Sequence, residues 1–125
     1  MSLETPLHKV QGLGSAHSGV THFWRERVTA AALVPLSAWF VVSVVRLVGA
    51  SEAEVAGYFQ RPWNALLMGL FVILTCVHMT LGLQVVIDDY VHGTGQRIVL
   101  ILLNRAFAWI IGGISLIALL RLAVG

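Results

Sequence analysis

Residues 64–97, NALLMGLFVILTCVHMTLGLQVVIDDYVHGTGQR, decide the fold. From Asn64 to Ile87 the run has no Asp, Glu, Lys or Arg. It is also long enough to cross a bilayer, because a hydrocarbon core of roughly 30 Å needs about 20 apolar residues in a helix. Arg61-Pro62-Trp63 precedes it, a proline-led helix start with an interfacial aromatic. Asp88, Asp89 and Tyr90 close it, and Gly93 and Gly95 separate it from the next apolar run. Any functional reading has to explain the histidine in the middle of this run, His78, and the carboxylate pair at its end.

Working outward, two more stretches of the same kind flank the first. Val28–Val48 comes after the polar Arg25-Glu26-Arg27, and Ile98–Leu120 comes after the glycines. The composition agrees: 58% of the 125 residues are hydrophobic and 11% charged, with a mean hydropathy of +0.85, whereas soluble domains carry about 25% charged residues. The expectation is an all-α integral membrane protein with three transmembrane helices, spanning 28–48, 64–87 and 98–120. Residues 28–125 then form a single membrane domain, and residues 1–27 a polar N-terminal arm. That arm holds three glycines and three histidines and lacks the apolar stretch of a signal peptide.

Charge and cysteine content exclude several classes. The net charge of +2 comes without the interleaving of aromatic and basic residues that would suggest nucleic acid, and anionic membrane lipid is a sufficient partner for it. A single cysteine, Cys76, supplies neither a disulfide framework nor the thiolates of an iron–sulfur cluster; it reads as a small apolar filler. Lys9, Arg25, Arg27 and Arg97 fall on one side of the spans, and Arg61 and Arg121 on the other, so the positive-inside rule puts the N-terminus in the cytoplasm. Arg46 can snorkel to the far surface, while Arg105 lies several residues inside the third span.

His78 sits near mid-depth, where a polar side chain is costly and either meets a partner or does chemistry. Asp89 is eleven residues on. In a helix that spacing returns to within about 20° of the same face, about 16 Å along the axis. One stripe therefore carries an imidazole at mid-depth and a carboxylate at the rim, with Thr75 and Gly82 as small neighbours. Two readings stay open. The histidine can bond across a helix interface, as the small-residue face Ala108, Gly112 and Ser115 of the third span suggests for packing. Or it can be an axial ligand of haem, for which neutral imidazole in a dry setting is suited. In the second case the other axial ligand comes from another protein, since no second histidine lies at membrane depth.

The polar arm running through His22-Phe23-Trp24-Arg25-Glu26-Arg27 into the first span, three spans, and His78 followed at eleven residues by Asp89-Tyr90 together resemble the small hydrophobic (D-type) anchor subunit of bacterial succinate:quinone oxidoreductase, respiratory complex II. The resemblance covers nearly the whole chain. It implies a haem-containing helix bundle built with a larger C-type anchor subunit, which supplies the second histidine of a shared b-type haem, in the bacterial inner membrane. His78 would be this chain's axial ligand. Tyr90 would donate its phenol to a ubiquinone carbonyl, with Asp89 behind it. Arg27, and more loosely His22, would contact a haem propionate; in an ungapped comparison Thr21 takes the family's histidine position, and Asp88 is extra. Electrons would arrive from succinate through a flavoprotein subunit and an iron–sulfur subunit, so this chain is an enzyme subunit that is not catalytic by itself. The alternative is a purely structural anchor without haem, as in some fumarate reductase relatives.

Overall fold

The computed structural model describes residues 5–7 and 17–125, with the side chains of 5–7 and of 19–125. Residues 1–4 and 8–16 of the N-terminal arm, Lys9 among them, lie outside the described residues. The described chain is all-helical in its long elements: α1 (His17–Leu47), α2 (Glu52–Gln60), α3 (Pro62–Tyr90) and α4 (Thr94–Val124). Among the described residues, three helices are long and apolar enough to cross a membrane, over Gly19–Leu47, Pro62–Tyr90 and Thr94–Val124.

Two features depart from the sequence expectation. Helix α1 begins at His17 rather than near Val28. Hydropathy locates the part of a helix that lies in lipid, whereas helicity continues until something stops it, and residues 19–27 contain no proline. The first connection also contains a helix. Ser51 caps α2, accepting a hydrogen bond from Glu54 N–H while the Glu54 carboxylate accepts one from Ser51 N–H at 2.7 Å. The Ser-Glu-Ala-Glu run at 51–54 is thus the sequence signature of a capping box. Gly49, at φ 77°, makes the left-handed turn that lets the chain leave α1 for this cap.

Helix α3 is the middle of the layer. Phe71 stacks on Phe40 of α1 at 4.6 Å between ring centroids, and His78 meets Thr29 of α1. On the other side, a methyl group built on Gly112 of α4 would stand 3.2 Å from Cys76 Sγ, and Asn104 Nδ2 of α4 donates to the Thr80 carbonyl at 3.0 Å. Residues 71 and 78 point roughly 140–180° away from residues 76 and 80 around α3. So α1 and α4 flank α3 on opposite sides, in a layer one helix deep. Gly112 is buried, as expected of the packing face it shares with Ala108 and Ser115. Among the described residues few large apolar side chains are buried; Phe59, Leu81 and Leu119 are those below a tenth exposed. Many of the others are exposed, as lipid or neighbouring chains require.

The α2 end of the layer is held by polar bonds. Ser43 Oγ lies 2.8 Å from the Trp39 carbonyl and 2.7 Å from Tyr58 Oη. Ser43 has one hydroxyl proton and gives it to the carbonyl, so Tyr58 donates to Ser43. Asn64 Nδ2 donates to the Tyr58 carbonyl at 3.0 Å, tying α3 to the same point.

Candidate functional site

Helix α3 runs unbroken from Pro62 to Tyr90, so His78 and Asp89 do share a stripe. The structure adds what faces that stripe. Thr29, buried on α1, places Oγ1 2.9 Å from His78 Nδ1 and 2.7 Å from the Arg25 carbonyl oxygen. Two oxygens at that separation need a proton between them, and only the threonine can supply it. The Thr29 hydroxyl proton is therefore committed to Arg25, and its lone pair receives the Nδ1–H of His78. That fixes the tautomer: Nε2 carries the free lone pair. His78 is half-buried. A side-chain methyl at Gly82, one turn further along α3, would meet nothing within 4 Å, so there is open space beside the ring.

His22 lies seven residues before Thr29 on α1, within about 20° of the same face and about 10 Å along the axis. Its Nδ1 is 3.8 Å from Glu26 Oε2, and its Nε2 is buried without a hydrogen-bond partner. Buried polar atoms are normally satisfied, so an orphan here marks a place where another group belongs. Arg27 is exposed, on the other side of α1, about 160° round from Thr29. Its guanidinium sits over the Phe23 ring, 5.0 Å from the centroid. The structure thus does not bring Arg27 to the His78 stripe. Arg25, which the sequence marks only by its charge, is exposed as well but lies within about 40° of Thr29 on α1. It lines a groove of ≈ 500 Å³ between α3 and α4 together with Ile73, Cys76, Thr80, Arg105 and Trp109. Arg105, several residues inside its span, lines the same groove.

At the end of α3, Asp89 and Tyr90 are exposed, Tyr90 to 78%. Asp88, rotated about 80° from the His78 stripe, does something separate: its Oδ1 lies 2.7 Å from Arg97 Nη2 in the first turn of α4. A carboxylate at a helix C-terminus and a cation at an N-terminus each oppose their helix dipoles, and pairing them offsets both. The signal for this in the sequence is an acid and a base flanking a Gly-Thr-Gly turn. Among the described residues no group of three or more His, Cys, Asp or Glu side chains could hold a metal ion; what the chain presents is one imidazole with a defined lone pair.

Three apolar spans with polar side chains gathered at one depth and one rim define a multi-pass subunit of a membrane complex. The family model for the succinate dehydrogenase/fumarate reductase transmembrane subunit matches residues 1–119. The chain is 40% identical over 121 residues to the succinate dehydrogenase hydrophobic membrane anchor subunit of Paracoccus denitrificans, covering 97% of this chain and 93% of that one. It is 32% identical over 100 residues to the corresponding subunit of Rickettsia bellii, 80% of each, and 34% identical over 96 residues to the succinate dehydrogenase membrane anchor subunit of Reclinomonas americana, 73% of this chain and 78% of that one. No solved structure shows a significant match. The chain belongs to the succinate dehydrogenase/fumarate reductase transmembrane subunit family, as a membrane anchor subunit of a succinate dehydrogenase complex.

Proposed function

We propose that this anchor shares a b-type haem through His78 and forms one wall of a ubiquinone-reduction site through Tyr90 and Asp89. The observation that carries the reading is the α3 stripe: a half-buried imidazole whose Nδ1 proton is already committed, with an exposed carboxylate, Asp89, at the rim of the same face and the exposed phenol of Tyr90 next to it, about 120° round the helix from His78. The bond to Thr29 would satisfy a purely structural histidine at one nitrogen; it leaves Nε2 available, which is the atom an axial ligand uses. The residues fit the group. Gly82 leaves space beside the ring, and the orphaned His22 Nε2 suits a propionate oxygen. Of the arginines, Arg25 lies within about 40° of Thr29 on α1, and Arg27, on the opposite side of that helix, would serve a propionate only if one reaches that side. Bound there, the haem supplies a one-electron store near the quinone.

This chain's own residues then have separate tasks. Tyr90 donates its O–H to a quinone carbonyl, which favours charge developing on that oxygen as electrons arrive. Asp89, next to it and open to water, orients the phenol and relays a proton. A larger anchor subunit would supply the second histidine that holds the haem and the opposite wall of the quinone site. An iron–sulfur subunit and a flavoprotein subunit deliver electrons from succinate on the cytoplasmic side of the bacterial inner membrane, where the N-terminus of α1 and the α3–α4 turn lie. Surface tags in these two segments should report from the same side, opposite a tag in α2.

The test is His78→Ala in the assembled complex. Loss of one imidazole opens a coordination position, so the reduced low-spin b-type spectrum should disappear or change. An unchanged spectrum with full haem content removes His78 as a ligand and leaves this chain a structural anchor.

A further inference from the structure

The bond between Thr29 and His78 joins two helices at a point 49 positions apart in sequence, and its direction is fixed by where the threonine proton goes. We infer that Thr29 is the positioning residue of the haem ligand: it holds the imidazole in the tautomer and ring orientation that aim Nε2 at iron, and it strengthens the ligand. The inference rests on the reading of His78 as an axial ligand.

The chain of bonds is directional. The Arg25 carbonyl accepts from Thr29 at 2.7 Å, and Thr29 accepts from His78 Nδ1–H at 2.9 Å. The Glu26 carbonyl lies 3.1 Å from the same hydroxyl, so the proton is held from two sides of the α1 backbone and is not available to the imidazole. Thr29 is 7% exposed, which keeps water from competing for the bond. Threonine in a helix has few side-chain rotamers, and back-bonding to residues three and four positions earlier selects among them. The acceptor is therefore pre-set before any ligand binds. An imidazole whose remote N–H is hydrogen-bonded is a better donor to metal, and ligand sets lose about 10- to 100-fold in metal affinity when such a partner is removed. In this chain the partner is a neutral hydroxyl rather than a carboxylate, which adds no buried charge at membrane depth.

Substitution of the acceptor tests this in the intact complex. Thr29→Val keeps the branched shape and removes the oxygen, and Thr29→Ser keeps the oxygen and loses a methyl group. Thr29→Val should retain haem about 10- to 100-fold less tightly. The haem that remains should have an upward-shifted midpoint potential and altered low-spin electron paramagnetic resonance g-values, because a less basic ligand favours the ferric state less. Thr29→Ser should behave within a few-fold of the parent. Thr29→Val with parental retention and potential overturns the proposal. Weaker retention with an unshifted potential and unchanged g-values also overturns it, since that is what loosened packing alone produces. His78→Ala separates the two levels of argument: if it leaves the spectrum unchanged, the haem reading itself fails, whereas if it abolishes the spectrum and Thr29→Val does nothing, only the role of Thr29 fails.

Discussion

At the α2 end of the layer, Tyr58, Ser43, Trp39 and Asn64 satisfy one another and Ser51 closes a capping box with Glu54. At the end that carries Tyr90, the Asp88–Arg97 pair closes the turn, but Asp89 and Tyr90 stand exposed and His22 Nε2 is buried without a partner. One end is finished by the chain alone. The other uses a single ion pair to hold its turn and presents the rest of its polar chemistry outward. In a membrane protein, where unsatisfied polar groups are costly, that asymmetry separates residues kept for the fold from residues kept for something outside it.

The largest effect that would sharpen this contrast is at the open end. Tyr90→Phe and Asp89→Leu should both assemble and leave succinate oxidation with an artificial acceptor near normal. Succinate-to-ubiquinone turnover should fall several-fold or more, as loss of a hydrogen bond worth about 1–3 kcal/mol implies. Asp88→Asn should lower it far less, because it only weakens a partly exposed ion pair worth about 0–1 kcal/mol. Equal losses from Asp88 and Asp89 variants would break the division drawn between them.

At the closed end the effects should fall on stability. Tyr58→Phe deletes the hydrogen bond to Ser43 and should cost about 0.5–1.5 kcal/mol, read from thermal unfolding of the complex in detergent, with quinone turnover unchanged. A drop in turnover larger than the drop in stability would show that the two ends are coupled.

The smallest effect concerns pH. Hydrogen bonds from the Ser51 backbone and side chain hold the Glu54 carboxyl below the ordinary carboxylate range. A depressed folded-state pKa means that the capping box is fully in place above the usual carboxylate range and is lost as acidification protonates Glu54. Amide protection in α2, taken relative to the intrinsic exchange rate at each pH, should therefore fall on acidification below that range, and Ser51→Ala should show the lower protection already at neutral pH.

Much of the scaffold was legible because lipid imposes a simple length rule: the three runs of apolar residues could be little else than spans. The start of α1 was not, since the polar His22–Arg27 segment satisfies helical geometry without any hydropathy signal. The α2 cap was present as Ser-Glu-Ala-Glu but hidden in what composition marks as a connection. For the site, the period of α3 located His78 and Asp89 on one face, yet periodicity gives each helix's faces and not which face meets which helix. That Thr29 answers His78, that Arg25 rather than Arg27 lines the groove beside α3, and that Asp88 belongs to Arg97 are facts of how α1 and α4 dock on α3. They become visible only when the helices are placed together.

A layer one helix deep also constrains how the sequence can vary. Lipid tails are as apolar as leucine, so exposed Val, Leu and Ile side chains on its broad faces gain nothing from being one particular residue. Where such a side chain faces lipid, substitution among Leu, Ile, Val and Phe should cost little. The freedom ends at a few points: Gly112, where a methyl group would press on Cys76; Asn104, which bonds the α3 backbone; and Thr29, which holds His78. The lipid-facing surface can drift while these positions stay put, so a saturation-mutagenesis map of this chain should be flat over lipid-facing positions, with steep cost at sparse points along the seams between helices and at the exposed rim residues Asp89 and Tyr90.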